Sequence, residues 1–129
     1  MSLTPNLSEA DVNRVSILGL AYEGDCVYEL LVRTRLIELG HTASLDLHRS
    51  TVAIVNARAQ AAAAQKLLPE LTEEELAVYK RGRNAKVNSV PQKATQAEYH
   101  AATGLEAVFG WLHLCGRQER IEELFQKIM

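Results

Sequence analysis

Apolar side chains recur every three or four positions along this chain, and nowhere do they alternate in the one-in, one-out manner of a half-buried strand. Val12, Val15, Leu18, Ala21 and Tyr22, then Tyr28, Val32 and Leu36, trace one such stripe from about Ser8 to Leu39. That spacing predicts one long helix or two in series, with Ser8 and Asp11 as an N-cap pair, Gly40 just past the end and Gly24 as the weak point inside. A second helix is expected from Ser44 or Leu45 to about Leu68, with Val52, Val55, Ala59 and Ala63 on one side and Pro69 beyond it. The alanine run from Ala61 to Ala64 favours close packing. Thr72 with Glu75 forms a capping box for a third helix, TEEELAVYKR, which Gly82 should end. RGRNAKVNSVPQKA is expected to be an exposed loop. Thr95 with Glu98 opens a helix reaching about Cys115, and RQERIEELFQKIM is a final amphipathic helix with Ile121, Leu124, Phe125 and Ile128 inward. The expected fold class is all-α, with five or six helices.

A chain of 129 residues suits a single domain, 1–129, with residues 1–7 as a loose N-terminal tail and 81–94 as a basic loop. Its 47 % hydrophobic and 23 % charged content excludes a disordered or collagen-like chain. Cys26 and Cys115 are too few and too far apart for a disulfide scaffold and are expected to pack in the core. With no apolar leader and no long apolar run, the expected home is the cytoplasm, with no membrane partner.

Two acids interrupt the apolar stripes. At three and four positions from Asp25 stand Ala21, Tyr22, Tyr28 and Glu29, with Leu18 and Val32 a turn further on the same side. Around Glu106 the same offsets give Ala102, Thr103, Phe109 and Gly110, again a surface that should pack inward. A carboxylate taken out of water costs several kcal/mol unless it is protonated, hydrogen-bonded, ion-paired or bound to metal. Either each acid is satisfied by a neighbouring cation or amide, or stands at its stripe's edge, or the two together hold an ion. Oxygen ligands alone select a hard cation such as Mg²⁺ or Mn²⁺, commonly completed by waters and substrate phosphate oxygens.

Charge is strongly segregated. The formal net charge of -2 argues against a uniformly basic coat protein, yet between Leu76 and Ala97 there is no acid, while Lys80, Arg81, Arg83, Lys86 and Lys93 contribute five positive charges. Such a strip either is an ordinary solvated loop or meets a polyanion through phosphate contacts that carry affinity without reading sequence. His41, His48, His100 and His113 show no zinc spacing, and no phosphate-binding loop, nucleophile elbow or dinucleotide fingerprint occurs.

The stretch LAYEGDCVYELL, Leu20 to Leu31, resembles the signature helix of the ribonuclease III catalytic domain, and more closely that of the Mini-ribonuclease III family. His48-Arg49-Ser50 with VAIVNARAQA, then LTEEELAVYKRGRNAK, SVP and ATGLEAVFGWLHLCG, follow in that family's order and spacing, so the resemblance runs from about Ile17 to Ile128. It implies an all-α two-fold homodimer and a Mg²⁺-dependent endoribonuclease, with Mn²⁺ as a substitute, that cuts double-stranded RNA to 5′-phosphate and 3′-hydroxyl ends. Asp25 matches the family's catalytic aspartate and Glu106 its second metal-binding acid. Recognition would rest on A-form shape and phosphate contacts. Arg81, Arg83, Asn84 and Lys86 are the candidates for reaching the RNA backbone, with Lys93 and Arg49 as further contacts, although His48-Arg49 equally suits a helix terminus.

Larger ribonuclease III enzymes carry two more acids where this chain has Ala21 and Thr103, a reduction that Mini-ribonuclease III proteins share and that implies more water on the metal. Glu23 replaces the apolar residue usual in the family. A chain ending at Met129 is expected to lack the C-terminal RNA-binding domain of the larger enzymes, leaving substrate choice to the catalytic domain or to a helper such as a ribosomal protein. The implied role is maturation of the large-subunit (23S) ribosomal RNA precursor. The competing expectation is a catalytically silent, duplex-RNA-binding or ribosome-associated helical dimer.

Overall fold

The computed structural model describes residues 2–86 and 94–129, and among these the only regular structure is helical. Seven α-helices follow in order: α1 (Glu9–Asn13), α2 (Ile17–Glu38), α3 (Ser44–Val55), α4 (Ala57–Leu67), α5 (Glu73–Arg83), α6 (Gln96–Leu114) and α7 (Gln118–Gln126), with a 3-10 turn at Leu68–Glu70 between α4 and α5. None of them is long and apolar enough to cross a membrane.

The all-α expectation holds, with one helix to correct. Of the two alternatives for the first stripe, two helices in series is the one found, because Ser16 turns extended and its hydroxyl accepts the Gly19 amide, starting α2 afresh. The expected single helix from Ser44 to Leu68 is broken at Asn56. Its Oδ1 accepts the Ala59 amide at 2.9 Å while its Nδ2 donates to the carbonyls of Val52 and Ala53, so one side chain closes α3 and opens α4. The two capping boxes, Thr72 with Glu75 and Thr95 with Glu98, form as expected.

The helix α6 is the hub. AATGLEAVFGWL is apolar nearly all round, which suits a helix surrounded by others, and α2, α5, α4 and α7 pack against it. Leu20, Val32, Leu105, Phe109, Leu112, Ile121 and Leu124 form the centre of the core, with Tyr28 edge-on to both Phe109 and Phe125. Glu75 is buried at 2 % exposure and is held by Arg120 of α7 through two hydrogen bonds, at 2.9 and 2.8 Å.

Before α1, the Leu7 amide donates to the Leu114 carbonyl at 3.0 Å, and the Pro5 carbonyl lies against Gly116 in the turn after α6. Cys26 is exposed rather than in the core, while Cys115 is half-buried.

Candidate active site

The two acids come from the helices that pack most intimately. At the crossing of α2 and α6, a side chain at Gly24 would overlap the main-chain carbonyl of Glu106, and one at Gly110 would overlap that of Leu20. The two backbones therefore touch directly, which only glycine permits. Asp25 follows Gly24 in the chain, and Glu106 stands one turn before Gly110, so backbone contact brings the two carboxyl groups together.

Asp25 stands close enough to act on the Glu106 carboxyl. That carboxyl is pushed up to about 8, first by burial, then by the charge of Asp25 and by direct contact with the Asp25 carboxyl, with only the Gln60 amide opposing. Tyr28, on the same wall, is raised to about 12 by burial and by Glu106. Two carboxylates forced together in a partly dry site favour either a retained proton or a cation. The donors are all oxygens, which fits a hard divalent ion. Among the described residues no group of three or more His, Cys, Asp or Glu side chains converges, so protein would supply two carboxylates and water the remaining positions.

Burial of the two acids differs from expectation. Glu106 is half-buried, but Asp25 is exposed, in a shallow depression of the outer face of α2 with Tyr22, Cys26, Glu29 and Arg33. The apolar neighbours read as inward-packing divide: Ala21, Tyr28 and Val32 are buried, whereas Tyr22 is 82 % exposed and Leu18 40 %. Ala21 and Thr103, at the positions of the extra acids of larger enzymes, are both buried, and the Thr103 hydroxyl donates to the Tyr99 carbonyl of its own helix.

The basic strip is only partly a loop. Arg81 and Arg83 belong to the last turn of α5, and Asn84 caps it. Gly82 does not stop the helix, because it is buried against Gly104, Ala107 and the Thr103 carbonyl of α6, a contact that offsets glycine's poor helix propensity. This contact, two and three residues before Glu106, also fixes exposed Arg81 and Arg83 beside the helix that carries the acid. Arg83 donates through Nε to Asn84 Oδ1 and lies 5.8 Å from the Tyr79 ring centre. Lys86 is exposed, and Lys93 lies outside the described residues. Arg49 is on the exposed side of α3, which packs chiefly on α2 and α4 rather than on α6. Glu23 is half-exposed and sits 3.6 Å from His113.

One buried polar group near the acids escaped the reading of the sequence. Gln60 of α4 is 2 % exposed on the face shared with Ala63, Ala64 and Leu67, and its amide lies against Glu106. A lone amide on an otherwise apolar helical face was the available signal.

Comparison with known proteins shows the family of the chain. Residues 18–117 match the family model of the ribonuclease III domain. Curated proteins named Mini-ribonuclease 3 are similar over most of their length: that of Symbiobacterium thermophilum is 50 % identical over 109 residues, covering 84 % of each chain. That of Enterococcus faecalis is 45 % identical over 116 residues, covering 88 % of each. A crystal structure of a Fusobacterium nucleatum protein superposes with a TM-score of 0.84 at 31 % identity, covering 92 % of this chain and 97 % of that one.

Proposed function

The chain belongs to the ribonuclease III family, on its Mini-ribonuclease 3 branch, and is an endoribonuclease; we propose that it hydrolyses double-stranded RNA in a Mg²⁺-dependent reaction, leaving 5′-phosphate and 3′-hydroxyl ends. The observation that carries this is the meeting of Asp25 and Glu106 across the glycine contact of α2 and α6, a pair of oxygen donors whose ionised forms need a cation between them.

Asp25 and Glu106 hold the ion, with Mn²⁺ able to replace Mg²⁺. A bound divalent cation supplies a water of lowered pKa and offsets negative charge at the phosphate. Asp25 is the more open of the two acids, while Glu106 is half-buried in the bundle. Arg81, Arg83 and Lys86 contact the phosphate backbone, supplying affinity for duplex shape rather than for base sequence.

The active form is a two-fold homodimer. Leu18, Tyr22, Leu30 and Ile37 leave an exposed apolar stripe along the outer face of α2, and Leu45 and Val52 of α3 extend it, a surface a monomer gains nothing by displaying. A second copy seated there would cover the stripe and set two acid pairs beside one groove. Cytoplasmic maturation of the large-subunit (23S) ribosomal RNA precursor, assisted by a ribosomal protein, is the role this reading supports, through kinship with the Mini-ribonuclease 3 proteins.

Incubation of purified protein with a long RNA duplex and Mg²⁺, beside Asp25→Asn, tests the reading. Cleavage to 5′-phosphate ends by the unaltered protein and its loss in the variant are expected. Duplex retention without cleavage under both Mg²⁺ and Mn²⁺ would contradict it and leave an RNA-binding module.

A further inference from the structure

Glu29 stands one helical turn beyond Asp25 on the same side of α2, and the two acids line one depression. Its side chain is 34 % exposed and is held by Arg33, whose guanidinium lies 2.5 Å from Glu29 Oε2. Glu23, the other acid lining the depression, is 3.6 Å from His113 of α6, so Glu29 is the one that shares the opening with Asp25. Among the described residues no group of three such acids converges, which places Glu29 too far out to be a direct ligand beside Asp25 and Glu106. A divalent cation held by two carboxylates keeps several waters, and the hydrogens of those waters need acceptors in a layer beyond the ligands.

We propose that Glu29 is a positioning residue for the metal centre: the carboxylate oxygen not engaged by Arg33 accepts a hydrogen bond from a water of the cation's shell. Resting on the metal-dependent reading above, this makes α2 contribute twice, through Asp25 as a ligand and through Glu29 one layer out. Arg33, one turn further along, holds the Glu29 side chain in place and balances part of its charge. With two carboxylates where larger enzymes carry four, more of the shell is water, and the orientation of that water depends on such outer acceptors. Loss of an outer partner typically lowers metal affinity or activity by about 10–100-fold.

Glu29→Ala removes the acceptor, and Glu29→Gln keeps an acceptor oxygen without the charge; neither position belongs to the core. Mn²⁺ binding by RNA-free protein is followed by electron paramagnetic resonance, kcat and KM are measured on an RNA duplex, and sedimentation reports the association state. Glu29→Ala is expected to weaken Mn²⁺ binding by about 10-fold or more and to lower kcat with KM for RNA unmoved, while Glu29→Gln recovers part of both. Arg33→Ala separates positioning from bulk charge. Removing a positive charge beside a cation site should by electrostatics alone tighten Mn²⁺ binding, whereas losing the group that holds Glu29 should weaken it. Unaltered Mn²⁺ affinity in Glu29→Ala, or binding as tight or tighter in Arg33→Ala, overturns the proposal. So does weaker binding that comes with a changed association state, which would assign the pair to a contact between copies. Asp25→Asn is measured in parallel. If it loses Mn²⁺ while Glu29→Ala binds as well as the unaltered protein, the metal centre stands and the role of Glu29 falls. If the unaltered protein binds no Mn²⁺, both fall together.

Discussion

The Cα of Gly24 rests against the main-chain carbonyl of Glu106, so closely that no side chain fits between them. The contact links packing to chemistry: it sets the distance between α2 and α6, and thereby whether Asp25 can reach the carboxyl of Glu106. Gly110 makes the reciprocal contact with Leu20, so the crossing is closed on both sides.

Gly24→Ala should therefore be severe. The added methyl meets backbone rather than the flexible end of a side chain, and overpacking that forces main chain apart costs roughly 3 kcal/mol or more. We expect a marked fall in the urea midpoint, and cleavage lost even at temperatures where the variant remains folded. Unchanged stability would show that α2 and α6 are not in backbone contact.

The acid pair should write itself into the pH dependence of stability. Without a cation, the Glu106 carboxyl titrates at about 8, raised by burial and then by Asp25, against an ordinary 4.5. The folded state then holds a proton that the unfolded state has lost, so this group favours folding most at low pH and its contribution declines as pH climbs from 4.5 towards 8. Thermal unfolding of cation-free protein across that window should show the decline, and Glu106→Gln should flatten it. Mn²⁺ added at the alkaline end should restore stability, since only the folded protein presents the site. Identical profiles for the two proteins would refute the coupling.

Glu75 titrates with the opposite sign. Burial raises its pKa, but hydrogen bonds from Arg120 and from the Thr72 amide outweigh burial and hold it below the ordinary value. Its contribution is present above the unfolded-state pKa and is lost as pH falls through the lower folded-state value. Arg120→Ala leaves a carboxylate at 2 % exposure without its partner and should cost about 3 kcal/mol, measured by urea unfolding at neutral pH. A loss within experimental error would mean that the Thr72 amide alone suffices.

Substituting Arg81, Arg83 and Lys86 with Ala should weaken duplex binding and cleavage without changing dimerisation or unfolding, because all three side chains are exposed. The slope of log affinity against log salt should fall by about 1 for each residue that touches a phosphate. An unaltered slope would remove these residues from the interface.

Local signals in the sequence were the dependable ones. The capping boxes at Thr72 and Thr95 are settled by hydrogen bonds spanning three residues, so both helix starts could be seen in advance. The break at Asn56 was hidden because the apolar spacing of Val52, Val55, Ala59 and Ala63 runs across it, and only the side chain of Asn56 marks it. Gly82 looked like a stop because its compensation comes from Gly104 and Ala107, about twenty residues away, beyond the reach of propensity. Asp25 and Glu106 stand out in the sequence as acids interrupting apolar stripes, but the spacing alone did not tell a buried Asp25 from an exposed one. An apolar stripe such as Leu18, Tyr22, Leu30 and Ile37 looks the same whether it packs within the chain or against another copy. Gln60 was passed over because the alanines beside it read as simple packing.

Diffraction from crystals soaked in Mn²⁺, with an anomalous difference map, addresses the central relationship most directly. A peak bonded to both the Asp25 and Glu106 carboxylates, at about 2.1–2.2 Å, with water completing the shell, is the predicted result. No peak at that place, or two carboxyl groups too far apart to share one ion, would contradict the account.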